Sequence, residues 1–202
     1  MRICHPGSLY RKRDPRSLVE AIALLGNEGH DISFEQIGNC SPAFDLPSFA
    51  RRLGVSDRVK VHAPVPHHEI LRRMIECDVL LLLQPGTRTQ VPGKLFEMVL
   101  TGKPILALTE EGATADLVQG YRLGAVARSD DPAGIAEAIK QCAQLVGSSD
   151  KSRRTAALED FDGRTLTGRL AGVFDELRKD VRPRAGQSSE RGVKVAAEES
   201  VG

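Results

Sequence analysis

The residues best suited to chemistry lie near the middle of the chain, in the run Pro92-Gly93-Lys94-Leu95-Phe96-Glu97. This run follows an apolar segment and has the character of a helix start at Gly93. The backbone amides of Gly93, Lys94 and Leu95 would then be free to bind an anion such as a phosphate, aided by the helix dipole. Glu97 would lie about one turn further along, where a carboxylate can accept two hydroxyl hydrogen bonds, as from a ribose. The residue types fit an ordinary helix start with a solvated glutamate equally well.

Two other classes of nucleotide site are disfavoured. Six residues separate Gly86 from Gly93-Lys94, whereas a P-loop needs four, and Leu95 stands where that motif has its magnesium-binding Ser or Thr. A nicotinamide-dinucleotide site is disfavoured because no GxGxxG follows a strand.

The elements that must position these residues alternate between short apolar runs and amphipathic helical patterns. This alternation predicts an α/β fold, a doubly wound, Rossmann-like parallel sheet of about six strands. The continuous run Val79–Leu83 is typical of a central strand covered on both faces, so a ligand is expected beyond its carboxyl end. Further strands are predicted near residues 3–9, 32–37, 58–63, 104–108 and 125–127. Helices are predicted near 14–26, 47–53, 70–74, 93–100 and 135–146, after Gly112, and over 166–177.

Three segments are predicted. Residues 1–150 form the Rossmann-like domain and 151–180 a helical extension of it, whose stripe of Leu166, Leu170, Val173 and Leu177 must cover something. Residues 181–202 are expected to be a disordered tail, because Pro, Gly, Ser and charge dominate there without periodicity.

The composition limits the partners. The formal charge of +1 creates no field that would attract nucleic acid or an anionic membrane, and no apolar run is long enough to span a bilayer. The four cysteines lie far apart without a CxxC pair, which speaks against a zinc site and a disulfide framework. We therefore expect a cytoplasmic protein.

Two motifs carry a resemblance to a known family. Pro92–Glu97, followed by Thr101-Gly102-Lys103-Pro104-Ile105, resembles the donor-site signature of GT-B glycosyltransferases of the family 4 kind. His5-Pro6-Gly7-Ser8-Leu9-Tyr10, with Arg13-Asp14-Pro15, is similar to the first strand and glycine-bearing turn of that family's C-terminal domain. The resemblance covers about residues 3–177 and implies a single C-terminal, donor-binding lobe of a GT-B fold.

By this resemblance, the chain would serve the transfer of a sugar, with retention, from a UDP- or GDP-sugar to a saccharide or lipid acceptor in polysaccharide or glycolipid biosynthesis. Gly7 would let the backbone approach the diphosphate and Arg13 would contact it. No cofactor and no metal are expected, and no catalytic base is identifiable. The expected donor-binding residues are His5, Gly7, Arg13, Gly93, Lys94, Leu95, Glu97 and Gly112.

The sequence departs from the family pattern in two places. Thr89 stands where the pattern has a first glutamate, so the contact to the sugar ring is in doubt. The acceptor-binding N-terminal half is missing, so a separate partner half is expected.

Other interpretations stay open. The chain could be a non-catalytic donor-binding module or a truncated fragment, or, with less support, a sugar-nucleotide epimerase.

Among other polar clusters, we interpret His67-His68-Glu69 as a solvated helix entry rather than a metal site. Arg11 and Lys12 are interpreted as surface residues, and Glu110 and Glu111 as charges favourably placed before a helix.

Overall fold

The computed structural model describes residues 1–147 and 151–180, so the predicted disordered tail lies outside the described residues. The six strands of the described part are Arg2–Pro6 (β1), Ser33–Ile37 (β2), Val59–His62 (β3), Val79–Leu83 (β4), Ile105–Leu108 (β5) and Gly124–Ala127 (β6). Its α-helices are Arg16–Asn27 (α1), Leu46–Arg52 (α2), His67–Glu76 (α3), Lys94–Thr101 (α4), Ala113–Gly120 (α5), Pro132–Leu145 (α6), Lys151–Phe161 (α7) and Gly163–Asp180 (α8).

The strands form one parallel sheet in the order β3-β2-β1-β4-β5-β6. This is the predicted doubly wound, Rossmann-like fold. Because the strand order reverses between β1 and β4, the carboxyl ends of these two strands flank the crevice where such sheets bind ligands.

The central strand β4 shows why the sheet is buried on both faces. All five of its residues are buried, as its continuous apolar run predicts. Alternate side chains enter opposite layers: Leu81 and Leu83 join the core that also contains α1 and α6, whereas Leu80 and Leu82 pack with residues of α3 and α4.

Several predicted boundaries differ from the structure by a few residues, and two of them show the local backbone responsible. β1 ends at Pro6 rather than at Leu9, which forms only an isolated bridge with Cys40. Beyond Pro6 the two segments stay hydrogen-bonded, from the Gly7 N–H to the Ile37 oxygen at 2.9 Å and from the Leu9 N–H to the Asn39 oxygen at 2.8 Å, but they no longer form a continuous ladder. At the other end of the domain, Val146 is extended and lies beyond α6, just before the left-handed Gly147.

Helix α7 lies in the segment 151–180, which is predicted to be a helical extension, but the only helix placed there from the sequence is the one over 166–177. Its Ala157 is fully buried, and the Phe161 ring packs edge-on against Phe96 at 4.9 Å and Tyr121 at 5.3 Å. Asp160 also accepts a hydrogen bond from the Tyr121 hydroxyl at 2.7 Å. The first compact unit therefore extends over Met1–Asp162, past the predicted boundary at 150.

Helix α8 begins the second compact unit. Its predicted apolar stripe is present on the helix surface and is about half exposed, at Leu166, Leu170, Val173, Phe174 and Leu177. None of the helices in the described part of the chain has both the length and the apolar character required to cross a bilayer.

Candidate functional site

The start of α4 provides free backbone amides, though fewer than predicted. Gly93 caps the helix, and the Leu95 amide donates to the Pro92 oxygen at 2.9 Å. The Leu95 side chain is fully buried. Within residues 1–147 and 151–180, the amides of Gly93 and Lys94 have no backbone acceptor. Two amides, and not three, are thus available to an anion at this helix N-terminus.

Arg13 reaches from the loop after β1 to the end of β4. Its Nη2 donates to Oε1 of Gln84 at 3.3 Å, and its guanidinium carbon lies 5.3 Å from the centre of the Tyr10 ring. Gln84 directly follows β4, so this hydrogen bond spans the point where the strand order reverses. A cation therefore lies where the fold predicts an anionic ligand.

His5 is the fourth residue of β1, just before the turn at the carboxyl end of that strand. It is buried, and its Nδ1 atom lies 2.7 Å from Oε1 of Gln36. Burial lowers its pKa to about 4; the hydrogen bonds of the ring with Gln36 and Gly7 oppose this shift, and the positive charges of Arg13 and Lys94 add to it. Two of the predicted donor-binding cations thus act on the same imidazole, which is neutral at pH 7.

Gly7 follows His5 at the end of β1. A Cβ at Gly7 would meet only the His5 ring, at 3.5 Å, so no local clash requires glycine there. The close approach lies across the turn at Gly38, whose φ is 130° and whose added Cβ would come within 2.7 Å of the Gly7 oxygen. The predicted role of Gly7, the approach of backbone to a diphosphate, stays a prediction.

Glu97 lies in the first turn of α4, with one carboxylate oxygen unpartnered. Its Oε2 atom is buried and accepts no hydrogen bond from the residues that the structure describes. Lys94 Nζ is 3.7 Å away, an ion-pair distance too long for a hydrogen bond. The Glu97 side chain as a whole is 39% exposed, so the carboxylate is accessible from the surface and a ligand hydroxyl would supply the hydrogen bond that Oε2 lacks.

Gly112 holds the loop after β4 against the start of α5. Its φ of 143° is accessible to glycine, and an added Cβ would overlap the Arg88 main-chain oxygen. That oxygen accepts the Ala113 amide at 2.7 Å, so the Ala113 amide is already occupied. Glu110 does more than favour the helix dipole, since its Oε2 accepts the Gly86 amide at 2.7 Å and fastens the same loop.

The other polar clusters contribute no ligand set. Glu69 forms ion pairs with Arg72 and Arg73 on its own helix, at 2.6 and 3.0 Å. In the part of the chain that the structure describes, no three His, Cys, Asp or Glu side chains are grouped to hold a metal ion. Arg11 and Lys12 are exposed, as predicted for surface residues.

A surface cavity of about 380 Å³ lies near the carboxyl ends of β2 and β3, between Cys40, Leu46 and Val61. None of the predicted donor-binding residues lines it. The candidate donor site is therefore defined by the polar groups of Arg13, Gly93, Lys94 and Glu97, and not by this apolar cavity.

Sequence reasoning missed two side chains at the site, Gln36 and Gln84. Both are buried, and they hold His5 and Arg13 respectively. The position of each glutamine in the sequence could have revealed it. Each is a single amide side chain at or next to the carboxyl end of a parallel strand. Such an amide needs buried partners, and polar loop residues of the next strand can supply them.

Together these features define a doubly wound α/β domain. The elements that flank the carboxyl end of β4 carry two cations, free helix amides and a carboxylate oxygen without a hydrogen bond. The chain belongs to the family of glycosyl transferases group 1, whose model matches residues 1–144. The GT-B glycosyltransferase resemblance is thereby confirmed.

The relatives agree with this assignment. Over 135 residues the chain is 27% identical to the 2-deoxystreptamine glucosyltransferase of Streptomyces kanamyceticus, a match that covers 67% of this chain and 34% of that protein. Anabaena HepE in complex with UDP shares the fold with a TM-score of 0.67 and 20% identity, over 87% of this chain and 48% of that one. Sucrose-phosphate synthase from Thermosynechococcus elongatus does so with a TM-score of 0.68 and 15% identity, over 88% of this chain and 45% of that one. The chain spans about a third of the curated relative's length and about half of these two structures.

Proposed function

We propose that this chain binds the nucleoside diphosphate of a UDP- or GDP-sugar and forms the donor half of a retaining glycosyltransferase. The observation that carries the proposal is a cation and two free amides on the elements that flank the end of β4. The Arg13 guanidinium is hydrogen-bonded to Gln84, directly after β4, and the amides of Gly93 and Lys94 are free at the start of the helix that follows. Positive charge and oriented amides at a strand switch point suit a diphosphate.

The diphosphate is the leaving group of sugar transfer, so these groups favour the reaction as well as binding. Negative charge builds up on the leaving diphosphate as its bond to the sugar breaks. Donors already held in place by the fold stabilise that charge without reorganising at the moment of reaction. In the proposed mechanism Arg13 and the amides of Gly93 and Lys94 supply this stabilisation, and the Leu95 side chain packs the helix that presents them.

Glu97 is proposed to bind the ribose. Its Oε2 has no hydrogen-bond partner among the described residues, and the Lys94 ammonium lies 3.7 Å away. A charged carboxylate accepts hydroxyl hydrogen bonds strongly, which gives the nucleotide a contact away from its phosphates.

The base and the sugar are proposed from the relatives. Anabaena HepE has been solved with UDP and with UDP-glucose, and the curated relative is a glucosyltransferase. UDP-glucose is therefore the first donor to test. The amide of Gly112, whose neighbour Ala113 is already bonded to Arg88, is a proposed contact to the sugar.

The proposal also includes an acceptor and a second half of the enzyme that binds it. Because the chain spans only about half of the GT-B structures it matches, we propose that a further half provides the acceptor site. A saccharide or lipid acceptor and a cytoplasmic location stay predictions. Family membership favours sugar transfer over the epimerase alternative, and a non-catalytic donor-binding module remains the second candidate for this chain by itself.

Calorimetric titration of the purified chain with UDP, GDP and their glucose conjugates tests the proposal. Arg13→Ala is expected to weaken binding of UDP about tenfold to a hundredfold, the usual worth of a hydrogen bond to a charged group. Arg51→Ala removes an equal charge from an exposed position on α2 and is expected to bind UDP like the wild type. A folded chain that binds no nucleotide, or equal losses in both variants, would contradict the donor site.

A further inference from the structure

Gln84 is a buried side chain whose polar atoms are all engaged. It is 5% exposed and directly follows β4. Its Oε1 accepts from Arg13 at 3.3 Å and its Nε2 donates to the Thr87 hydroxyl at 2.9 Å. Its main-chain N–H donates to the Leu108 oxygen and its main-chain oxygen accepts from the Thr109 hydroxyl, both at 3.0 Å. These contacts fix both ends of the side chain.

The orientation of the amide follows from its partners. A guanidinium group has donors and no acceptor, so the oxygen of Gln84 must face Arg13. The amide nitrogen must then face Thr87, whose hydroxyl oxygen accepts from it. The two contacts require the same orientation, which makes the Gln84 oxygen a fixed acceptor for Arg13.

A second feature is that this acceptor is neutral. Arginines in proteins are commonly oriented by carboxylates, which also cancel their charge. Within the described residues, the hydrogen bond to Gln84 and the contact with the Tyr10 ring hold the Arg13 guanidinium without adding a negative charge. The guanidinium keeps further N–H donors free for a ligand.

We propose that Gln84 is a positioning residue that orients Arg13 toward a diphosphate while leaving its positive charge uncompensated. This inference rests on the proposed donor site. It adds to that site the specific requirement for an uncharged hydrogen-bond acceptor at the end of β4. A carboxylate at this position would hold Arg13 more strongly, compete with the diphosphate for it and repel the ligand.

The variants Gln84→Glu and Gln84→Met separate orientation from charge. We expect Gln84→Glu to lower UDP affinity at pH 8 by about tenfold or more relative to the wild type, because a nearby opposite charge competes for Arg13. As pH falls toward the glutamate pKa, the protonated side chain becomes a neutral near-isostere of glutamine. The ratio of wild-type to variant affinity at each pH, which cancels the titration of UDP itself, should therefore shrink toward one.

Gln84→Met keeps the length of the side chain and removes its acceptor. It is expected to weaken UDP binding several-fold at every pH, and to have no further effect in an Arg13→Ala background, because its effect passes through Arg13. The control Gln119→Glu adds the same charge at an exposed position on α5 and should bind UDP like the wild type across the pH range. Thermal unfolding of each variant establishes that it is folded under the titration conditions.

A Gln84→Glu variant that binds UDP like the wild type at pH 8, or whose loss does not change with pH, would overturn the inference. So would a Gln84→Met loss that persists undiminished in the Arg13→Ala background, since that result indicates a role in folding alone. If Gln84→Glu does not fold at pH 8, the Gln84→Met and Arg13→Ala cycle decides the question by itself. The donor site fails separately, when the wild type binds no nucleotide or Arg13→Ala binds UDP unchanged.

Discussion

The imidazole of His5 and the side-chain amide of Gln36 lie in hydrogen-bond contact, with Nδ1 2.7 Å from Oε1. Because the amide oxygen can only accept, Nδ1 carries the proton of the neutral ring and Nε2 is unprotonated. The other end of the same amide donates to the Gly7 oxygen at 2.5 Å. Gln36 thus fixes the tautomer of His5 and the turn after β1 together.

The stability of the fold is expected to depend on the neutrality of His5. Its folded-state pKa is about 4, below the ordinary 6.5, because of burial and the charges of Arg13 and Lys94. The unfolded chain therefore binds a proton more readily, so the stability is fully present above pH 6.5 and is lost as pH falls toward 4. The total loss is roughly 3 kcal/mol. Urea unfolding at several pH values measures it.

The control for this prediction is His5→Gln, which cannot take up a proton. The difference in unfolding free energy between wild type and variant isolates His5 from the carboxylates that titrate at lower pH. A difference that stays constant from pH 7 to pH 4 would show that His5 does not have the lowered pKa.

Glu97→Ala is expected to weaken UDP binding by about 1.5–3 kcal/mol through the loss of hydroxyl contacts. The same substitution should leave the affinity for 2′,3′-dideoxy-UDP nearly unchanged, since that ligand lacks the hydroxyls. Glu137→Ala, at an exposed position on α6, is the matched control. Equal losses with both ligands would remove the ribose role, and calorimetry measures the affinity of each protein for each ligand.

Gly112→Ala should destabilise the domain by about 1–3 kcal/mol, because the φ of 143° strains any residue with a Cβ. Overlap with the Arg88 oxygen would add to this and displace the loop after β4. Gly120→Ala, at the other end of the same helix, has open space around its Cβ and should stabilise by about 0.5–1 kcal/mol. Urea unfolding of the two variants compares them, and similar values would contradict the loop geometry.

The edge-on contact between Phe96 and Phe161 should couple α4 to α7. A double-mutant cycle of Phe96→Ala and Phe161→Ala is expected to give a coupling free energy of about 0.5–1.5 kcal/mol. Unfolding free energies of the four proteins provide the cycle. Strict additivity of the two single losses would mean that the rings do not stabilise each other.

The sequence was most informative where one local rule governed the outcome. The unbroken apolar run of Val79–Leu83 predicted β4 with its observed bounds, because only a strand covered on both faces tolerates five buried residues in succession. The helix predicted near 93–100 ends at Thr101, and Gly102 caps it at φ 70°, a backbone conformation that glycine adopts without strain.

Features that depend on tertiary partners could not be predicted in this way. Helix α7 carries too short an apolar stripe to show periodicity, and its burial depends on aromatic rings of α4 and the end of α5. Gln84 belongs to no local motif, since its partners are Arg13, 71 residues away in sequence, and Thr87. The Leu95 amide was predicted to be free, but it donates to the Pro92 oxygen in a tight turn. That turn depends on the backbone path at Pro92, which the sequence pattern does not reveal.

The position of β1 in the sheet also affects how the chain folds as it is synthesised. On one side β1 pairs with β2, which follows closely in sequence; on the other it pairs with β4, and the contact between Arg2 and Asp78 spans 76 residues. Until Val79–Leu83 has left the ribosome, the inner edge of β1 has no strand to pair with. A nascent chain of this protein must therefore expose an apolar strand edge until β4 has been made, and such an edge is open to wrong pairing and aggregation.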